Sequence, residues 1–353
     1  MSFQIGNKTV GRGHPAYIIA EIGSNFDGNL TRAKDLISLA KDAGADAAKF
    51  QHYTAESLVN QQAFNNLNIE THQAQWRGPV SEIYDKASLN IDWTAELHDH
   101  CVSCEIDFLT SPYSITLLEA VVDFIPAIKI GSGDITYTSL IERASSLGRP
   151  IFLATGASSM EDVSRAVKII EKSSSLCIMQ CNTNYEGNPC HDKYQNINVL
   201  KSFMDIWPSH EVGVSCHMKS HTAVLAGVSI GACVVEKHFT DDCSRHGPDH
   251  SFALDFSEFS AMVNLVREVE KILGDGEKRV EANERSTYFV QRRSLGLTVD
   301  LPEHTTLKSH HLVPLRPYMK GAFGPHEISS LIGRRLSKKL RAGTTILKDH
   351  LED

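Results

Sequence analysis

The stretch VVEKHFTDD (234–242) begins like a buried strand and turns polar at Glu236, Lys237 and His238. A second histidine, His217, closes the neighbouring run EVGVSCH (211–217). Imidazoles at two adjacent strand ends point into one mouth, where neutral rings bind a divalent transition metal. With two nitrogens and nearby carboxylates the ion stays open to water and substrate, which suits a Lewis acid better than a structural ion. Lys49 and Lys129 sit inside otherwise apolar runs, ADAAKFQ (45–51) and AIKIGSG (127–133). A buried ammonium is costly without a partner, so an anionic ligand is expected to supply one. Thr110, Ser132 and the amides of the GSG turn (131–133) add neutral donors around a phosphate or carboxylate.

Such residues need a frame that brings distant strand ends together. Short apolar or β-branched runs alternate with longer amphipathic ones over the first 270 or so residues, the pattern of a parallel sheet with helical crossovers. Eight strands are expected, at 17–23, 45–51, 107–113, 127–133, 150–156, 176–182, 211–217 and 233–239. Helices are expected between them, among others at 30–43, 160–172 and 223–231, with a last one near 257–273. Eight such units match a (β/α)8 TIM barrel better than an open doubly wound sheet. Chemistry in such barrels sits where strands end, and polar residues gather there: Glu21, Lys49 and Gln51, Thr110, Lys129 and Ser132, Thr155, Asn182 and Tyr185, His217, then Glu236 and His238.

Composition narrows the class. The chain has 353 residues, 41% of them apolar, enough for one large domain and a small one. Its net charge of −8 argues against nucleic acid as a main partner. The longest nearly apolar run, 223–235, is too short to span a bilayer, so no membrane partner is expected. The N-terminal stretch lacks the apolar core of a secretory signal, so the eight cysteines are expected to be free thiols and the protein cytoplasmic. Cys101 and Cys104 lack a second ligand pair and are read as thiols at a helix end. From Arg293 onward there are ten Lys and Arg against six Asp and Glu, which leaves −12 on the residues before it. The polar stretch LGDGEKRVEANERS (273–286) reads as a linker, giving a barrel domain over 1–275, a linker over 276–292 and a small domain over 293–353. That tail contains an internal echo, HTTLKSHHL (304–312) against GTTILKDHL (343–351), expected to form two similar turn-and-short-helix units.

Seven ordered motifs carry a resemblance: AEIGSNFDGNL (20–30), GADAAKFQ (44–51), KIGSGD (129–134), VGVSCH (212–217), EKHFTDD (236–242), GPDHSFAL (247–254) and LRPYMKG (315–321). Together they resemble the sialic acid (N-acetylneuraminate) synthase family, with its legionaminate and pseudaminate relatives, over nearly the whole chain. The resemblance implies condensation of phosphoenolpyruvate with an open-chain N-acetylated hexosamine, giving a nine-carbon 3-deoxy-2-keto sugar acid and phosphate. It implies a divalent metal, Mn2+ or Mg2+, on His217 and His238. Lys49, Thr110, Lys129 and Ser132 would hold the phosphate and carboxylate. Glu21, Gln51, Asp134, Tyr185, Glu236 and Asp249 would surround the reacting centre, with Asp134 or Glu236 handling protons. It also implies that residues 293–353 are an antifreeze-like (SAF, β-clip) domain, that the protein is a homodimer in which this domain caps the partner's barrel, and that Arg316 contacts the sugar.

Some positions depart from the family pattern. Phe26 stands where a histidine is usual, Ala154-Thr155-Gly156-Ala157 ends strand five with one hydroxyl fewer, Glu186 replaces a proline after Tyr185, and Cys216 precedes His217. The acceptor is expected to be N-acetylmannosamine, with the diacetamido hexoses of legionaminate or pseudaminate synthesis as the alternative. A metal-dependent aldolase on the same barrel and a sugar-binding paralogue without turnover are the other readings these residues allow.

Overall fold

The computed structural model describes residues 2–66, 78–172, 174–184 and 189–352. Tyr185 and Glu186 lie outside the described residues. The chain divides into two compact units, Met1–Gly274 and Asp275–Asp353.

The first unit opens with an antiparallel hairpin, β1 (Phe3–Ile5) and β2 (Lys8–Val10), which sequence periodicity did not reveal. Eight parallel strands follow: β3 (Tyr17–Glu21), β4 (Ala47–His52), β5 (Asp107–Pro112), β6 (Ile128–Ile130), β7 (Ile151–Ala154), β8 (Leu176–Cys181), β9 (Glu211–Cys216) and β10 (Val234–His238). All eight fall within or one residue beyond the expected runs. Parallel ladders link them in the order β5-β4-β3-β10-β9-β8-β7-β6, and β5 lies beside β6 to complete the cylinder. The expected TIM-like barrel is therefore the fold.

Local chemistry sets the crossovers. Asn29 caps the helix Leu30–Asp42 by accepting from Arg32 N at 3.0 Å. Ser159 and Asp162 form a reciprocal capping box on Met160–Ile170, and Asp255 and Glu258 do so on Phe256–Leu273. Each of these helices buries one apolar face, such as Val163, Ala166, Val167 and Ile170, against the outside of the barrel. Among the described residues no helix is long and apolar enough to cross a membrane. Cys101, Cys104, Cys177, Cys181, Cys216, Cys233 and Cys243 are free thiols, and Cys101 and Cys104 do sit at the end of the helix Thr94–Ser103.

The barrel interior has two storeys. The lower one is apolar: Tyr17, Ile19, Ala47, Leu109, Ala127, Phe152, Cys177, Met179 and Val234 pack with Phe3, Ile5 and Val10 of the hairpin, which plugs the N-terminal end. The upper storey, at the C-terminal strand ends, is polar and forms the site described below.

The second unit pairs β11 (Ser294–Leu297) with β12 (Leu312–Leu315) around a leucine-rich core. The internal echo is realised in the backbone. His304 and Gly343, at the same place in the two copies, both adopt positive φ, 65° and 79°. In each copy a histidine ring receives the amide three residues before it, His311 from Lys308 and His350 from Leu347, at 3.2 and 3.3 Å. Leu307 and Ile346, and Leu312 and Leu351, fill equivalent core positions.

Because Ile5 is fully buried in the plug, Ile5→Ala is expected to lower unfolding free energy by about 2–5 kcal/mol. Urea titration checks this, and a change near zero would show that the hairpin does not seal the barrel.

Candidate active site

Alternation along each strand decides which side chains enter the barrel. On β10 Glu236 and His238 point inward, while Lys237 points out. Its ammonium bonds the carbonyls of Met218 and Ser220 behind the wall. Those bonds brace the loop after β9, and burial there holds Lys237 below the usual lysine range. Parallel register then sets His238 beside Glu21, Glu21 beside Lys49, and Glu236 beside Ser215.

The centre is a buried network of alternating charge. Lys49 Nζ lies 2.5 Å from Glu21 and 3.8 Å from Glu236, and Lys129 Nζ lies 3.3 Å from Glu236. All four side chains are 7% exposed or less. The lysines thus already have protein partners, where the sequence suggested that only a ligand would supply them. Ser111 accepts from Lys49 at 3.2 Å, Ser215 donates to Glu236 at 3.1 Å, and Gln51 donates to Glu21 at 2.6 Å. Tyr113 in turn donates to Gln51 at 3.2 Å.

The two carboxyls are driven apart. Burial pushes Glu21 up to about 7 against the pull of Lys49, with Glu236 adding to the rise. Burial acts on Glu236 too, but Lys129 and Lys49 outweigh it and hold that carboxyl below its usual range. Glu236 is therefore the fixed anion, and Glu21 is the group that changes charge near neutrality.

His217 and His238 stand together, with ring centroids 5.3 Å apart. Burial lowers His217 to about 4, and burial and then His217 lower His238 well below the usual range, so both are neutral at pH 7. His217 Nδ1 lies 3.0 Å from the Asn182 carbonyl, and donation there leaves Nε2 as its lone-pair nitrogen. His238 Nδ1 is buried with no hydrogen-bond partner. Two neutral imidazoles and an orphaned nitrogen beside carboxylates suit a borderline divalent cation with open positions.

Two adjoining cavities follow. The inner one, about 90 Å³, is lined by Lys49, Lys129, Ser111, Ser132, Ser215, Glu236 and both histidines. The outer one, about 440 Å³, is lined by Asp134, Asp249, Tyr53, Tyr84 and apolar residues, and shares Gln51, Tyr113, Gly133 and His238 with the first. Burial pushes Asp134 up to about 6 against Lys129, and also raises Asp249. Asp249 accepts from Ser24 N at 3.0 Å, and a Cβ on Gly23 would meet its carboxylate at 2.5 Å, so that approach requires glycine.

Glu21, Lys49, Gln51, Lys129, Ser132, Asp134, Glu236, Asp249, His217 and His238 thus gather at one barrel end. Thr110 does not, and this corrects the expectation. It faces the helix layer, where its hydroxyl meets His52 Nδ1 at 2.7 Å and donates to the Phe50 carbonyl. Ser111, one residue on, takes the inward position. Strand parity carried the signal: inward Leu109 in the apolar storey makes 111, not 110, the next residue to face the cavity. Arg316 belongs to the second unit, where it is exposed and donates to the Gln291 carbonyl. Phe26 packs against Phe50 and Trp93 in the outer layer, so replacing a histidine there removes nothing from the cavity.

Fold and site together define a (β/α)8-barrel protein with a buried cavity of lysines, carboxyls and paired imidazoles at the C-terminal ends of its strands. The model of the NeuB family matches residues 36–278, and the chain belongs to that family. It is 32% identical to N,N'-diacetyllegionaminic acid synthase of Legionella pneumophila subsp. pneumophila over 98% of both chains. To human N-acetylneuraminate-9-phosphate synthase it is 30% identical, over 98% of this chain and 95% of that one. The crystal structure of N-acetylneuraminic acid (sialic acid) synthetase from Leptospira borgpetersenii serovar Hardjo-bovis, in complex with citrate, superposes with a TM-score of 0.73 at 26% identity. It covers 81% of this chain and 95% of that one.

Two outcomes check this arrangement. Lys49→Met should cost about 3–5 kcal/mol of stability at pH 7.5, because it strands a buried carboxylate. The abandoned carboxyl must bind a proton, so folded chains bind more protons than unfolded ones above the ordinary pKa. The variant therefore gains about 1.4 kcal/mol per pH unit on acidification, whereas the parent does so only below about 7, where its own Glu21 takes a proton, so the variant's deficit in denaturant titrations should shrink from about pH 9 to about pH 7 and level off below. A pH-independent gap would contradict the buried network. Separately, Thr110→Val should destabilise by about 1–3 kcal/mol while leaving KM for the anionic substrate unchanged, whereas Ser111→Ala raises that KM. The reverse pattern in steady-state kinetics would restore Thr110 to the site.

Proposed function

We propose that this protein is a nonulosonic acid synthase that joins phosphoenolpyruvate to an N-acetylated hexosamine, N-acetylmannosamine or a diacetamido relative. The observation that carries the reading is the convergence of buried Lys49 and Lys129 with two neutral imidazoles on one small polar cavity. In this reading the lysines, with Ser111, Ser132 and Ser215, hold the phosphate and carboxylate. His217 and His238 would hold a divalent ion, Mn2+ or Mg2+, which when bound supplies Lewis-acid polarisation of the sugar aldehyde.

The phosphoenolpyruvate methylene attacks the aldehyde carbon and forms the new C–C bond, leaving an oxocarbenium carbon that ionised Glu236 stabilises by charge. Water adds to that carbon, and C–O cleavage of the resulting hemiketal phosphate releases inorganic phosphate and leaves the ketone. Of the water's two protons, one ends on the hydroxyl that replaces the aldehyde and one on the departing phosphate. Asp134, with a carboxyl near 6, suits that relay better than Glu236, whose lysines keep it ionised. The resemblance further supports a homodimer in which an antifreeze-like second unit covers the partner's barrel and Arg316 reaches the acceptor.

The test is phosphate release from phosphoenolpyruvate with candidate acetamido sugars and Mn2+, with products read by mass. A keto sugar acid three carbons longer than the acceptor is expected, lost on chelation and regained with metal. If Asp134 acts as the base, kcat/KM rises with pH through about 6, and Asp134→Asn flattens that limb while lowering the plateau. Pyruvate used in place of phosphoenolpyruvate, or no turnover, would overturn the reading.

A further inference from the structure

The outer cavity has a chemistry of its own. Tyr53 stacks edge-on against Tyr84 and Tyr113, with centroids 5.5 and 5.8 Å apart, and makes an aromatic wall that begins at Tyr113, on the border of the lysine cavity, and runs outward through Tyr53 and Tyr84. Val59, Phe64 and Ile83, from the short helical segments between β4 and β5, complete that wall. Its polar side carries two carboxyls, Asp134 and Asp249, and its described lining includes no Lys or Arg. His238 and Gln51 line both cavities and mark the junction where an aldehyde would meet the bound anion.

Resting on the proposed condensation, we infer that the acceptor is an uncharged amino sugar whose acyl or deoxy groups pack on this tyrosine wall, and that a sugar phosphorylated at its far end is disfavoured. The anionic partner occupies the lysine cavity, so the acceptor's carbon chain must run outward from His238 into the outer one. There a terminal phosphate would be desolvated beside two carboxyls with no Lys or Arg among the described residues of the wall. One arginine brought from elsewhere would still face both carboxyls. Acyl and deoxy methyl groups, by contrast, gain from burial against aromatic faces. Among the relatives named above, this favours the chemistry of a diacetamido product over that of a 9-phosphate product, whose terminal carbon comes from the far end of a six-carbon acceptor.

The experiment uses the full chain with phosphoenolpyruvate, Mn2+ and three acceptors: N-acetylmannosamine, its 6-phosphate, and a 2,4-diacetamido-2,4,6-trideoxyhexose. The diacetamido sugar is expected to be best and the phosphate ester worse by about tenfold or more in kcat/KM. Tyr84→Ala should raise KM for the diacetamido sugar about tenfold with KM for phosphoenolpyruvate unchanged. Ile83→Lys should narrow the bias against the phosphate ester by a similar factor. A phosphate ester preferred by the parent protein, or an acceptor KM untouched by Tyr84→Ala, overturns the inference while leaving the condensation intact. If no sugar releases phosphate, the condensation itself fails. Calorimetry with the same three sugars then decides the cavity's preference, where tighter binding of the phosphate ester overturns the inference and weaker binding supports it.

Discussion

The upper storey of the barrel depends on one buried ionic network, in which Glu21, Lys49, Glu236 and Lys129 alternate in sign. Taking any one of these charges out of water alone would be prohibitive, and the Coulomb attraction of the others offsets it only because the strand wall holds them in contact. With Glu21 ionised the four formal charges sum to zero, so the network is balanced within the protein itself. The same balance means that an incoming anion must arrive with, or beside, a cation. The paired neutral imidazoles at the rim offer a place for that cation, with one nitrogen left unpartnered. Stability and ligand demand therefore arise from the same residues.

The network also separates two carboxyls that are chemically alike. Glu236 receives two lysines and a serine hydroxyl, whereas Glu21 receives one lysine and an amide, and that asymmetry sends them in opposite directions. Asp134, further out, feels only Lys129, whose pull burial outweighs, and is raised. Beside the fixed anion Glu236 stand two carboxyls that change charge closer to neutrality, Glu21 within the same network and Asp134 further out.

Below this lies the apolar storey, sealed by an N-terminal hairpin that contributes no chemistry. Its packing holds the strand register, and the register determines that His238 faces the same space as Lys49. The second unit shows how little sequence is needed to repeat a structure. A pair of positive-φ residues and a pair of amide-accepting histidines reproduce one short turn twice around a common leucine core.

Periodicity alone determined the eight strands, the helical crossovers and the gathering of polar residues at strand ends, because burial on both faces of a parallel barrel leaves a strong apolar signal at each run. The lysines and histidines stood out for the same reason, as charges set in apolar surroundings. Sequence could not show that the lysines are neutralised by Glu21 and Glu236, since those pairings join residues up to 187 positions apart and exist only once the cylinder closes. Nor did it separate Thr110 from Ser111, or Lys237 from its neighbours. A polar residue in a strand is polar whichever way it points, and only the tertiary register decides whether it meets the cavity or the helices. The tyrosine wall was invisible for a related reason: Tyr53 and Tyr84 lie far apart along the connection between β4 and β5, Tyr113 follows β5, and packing alone brought them together.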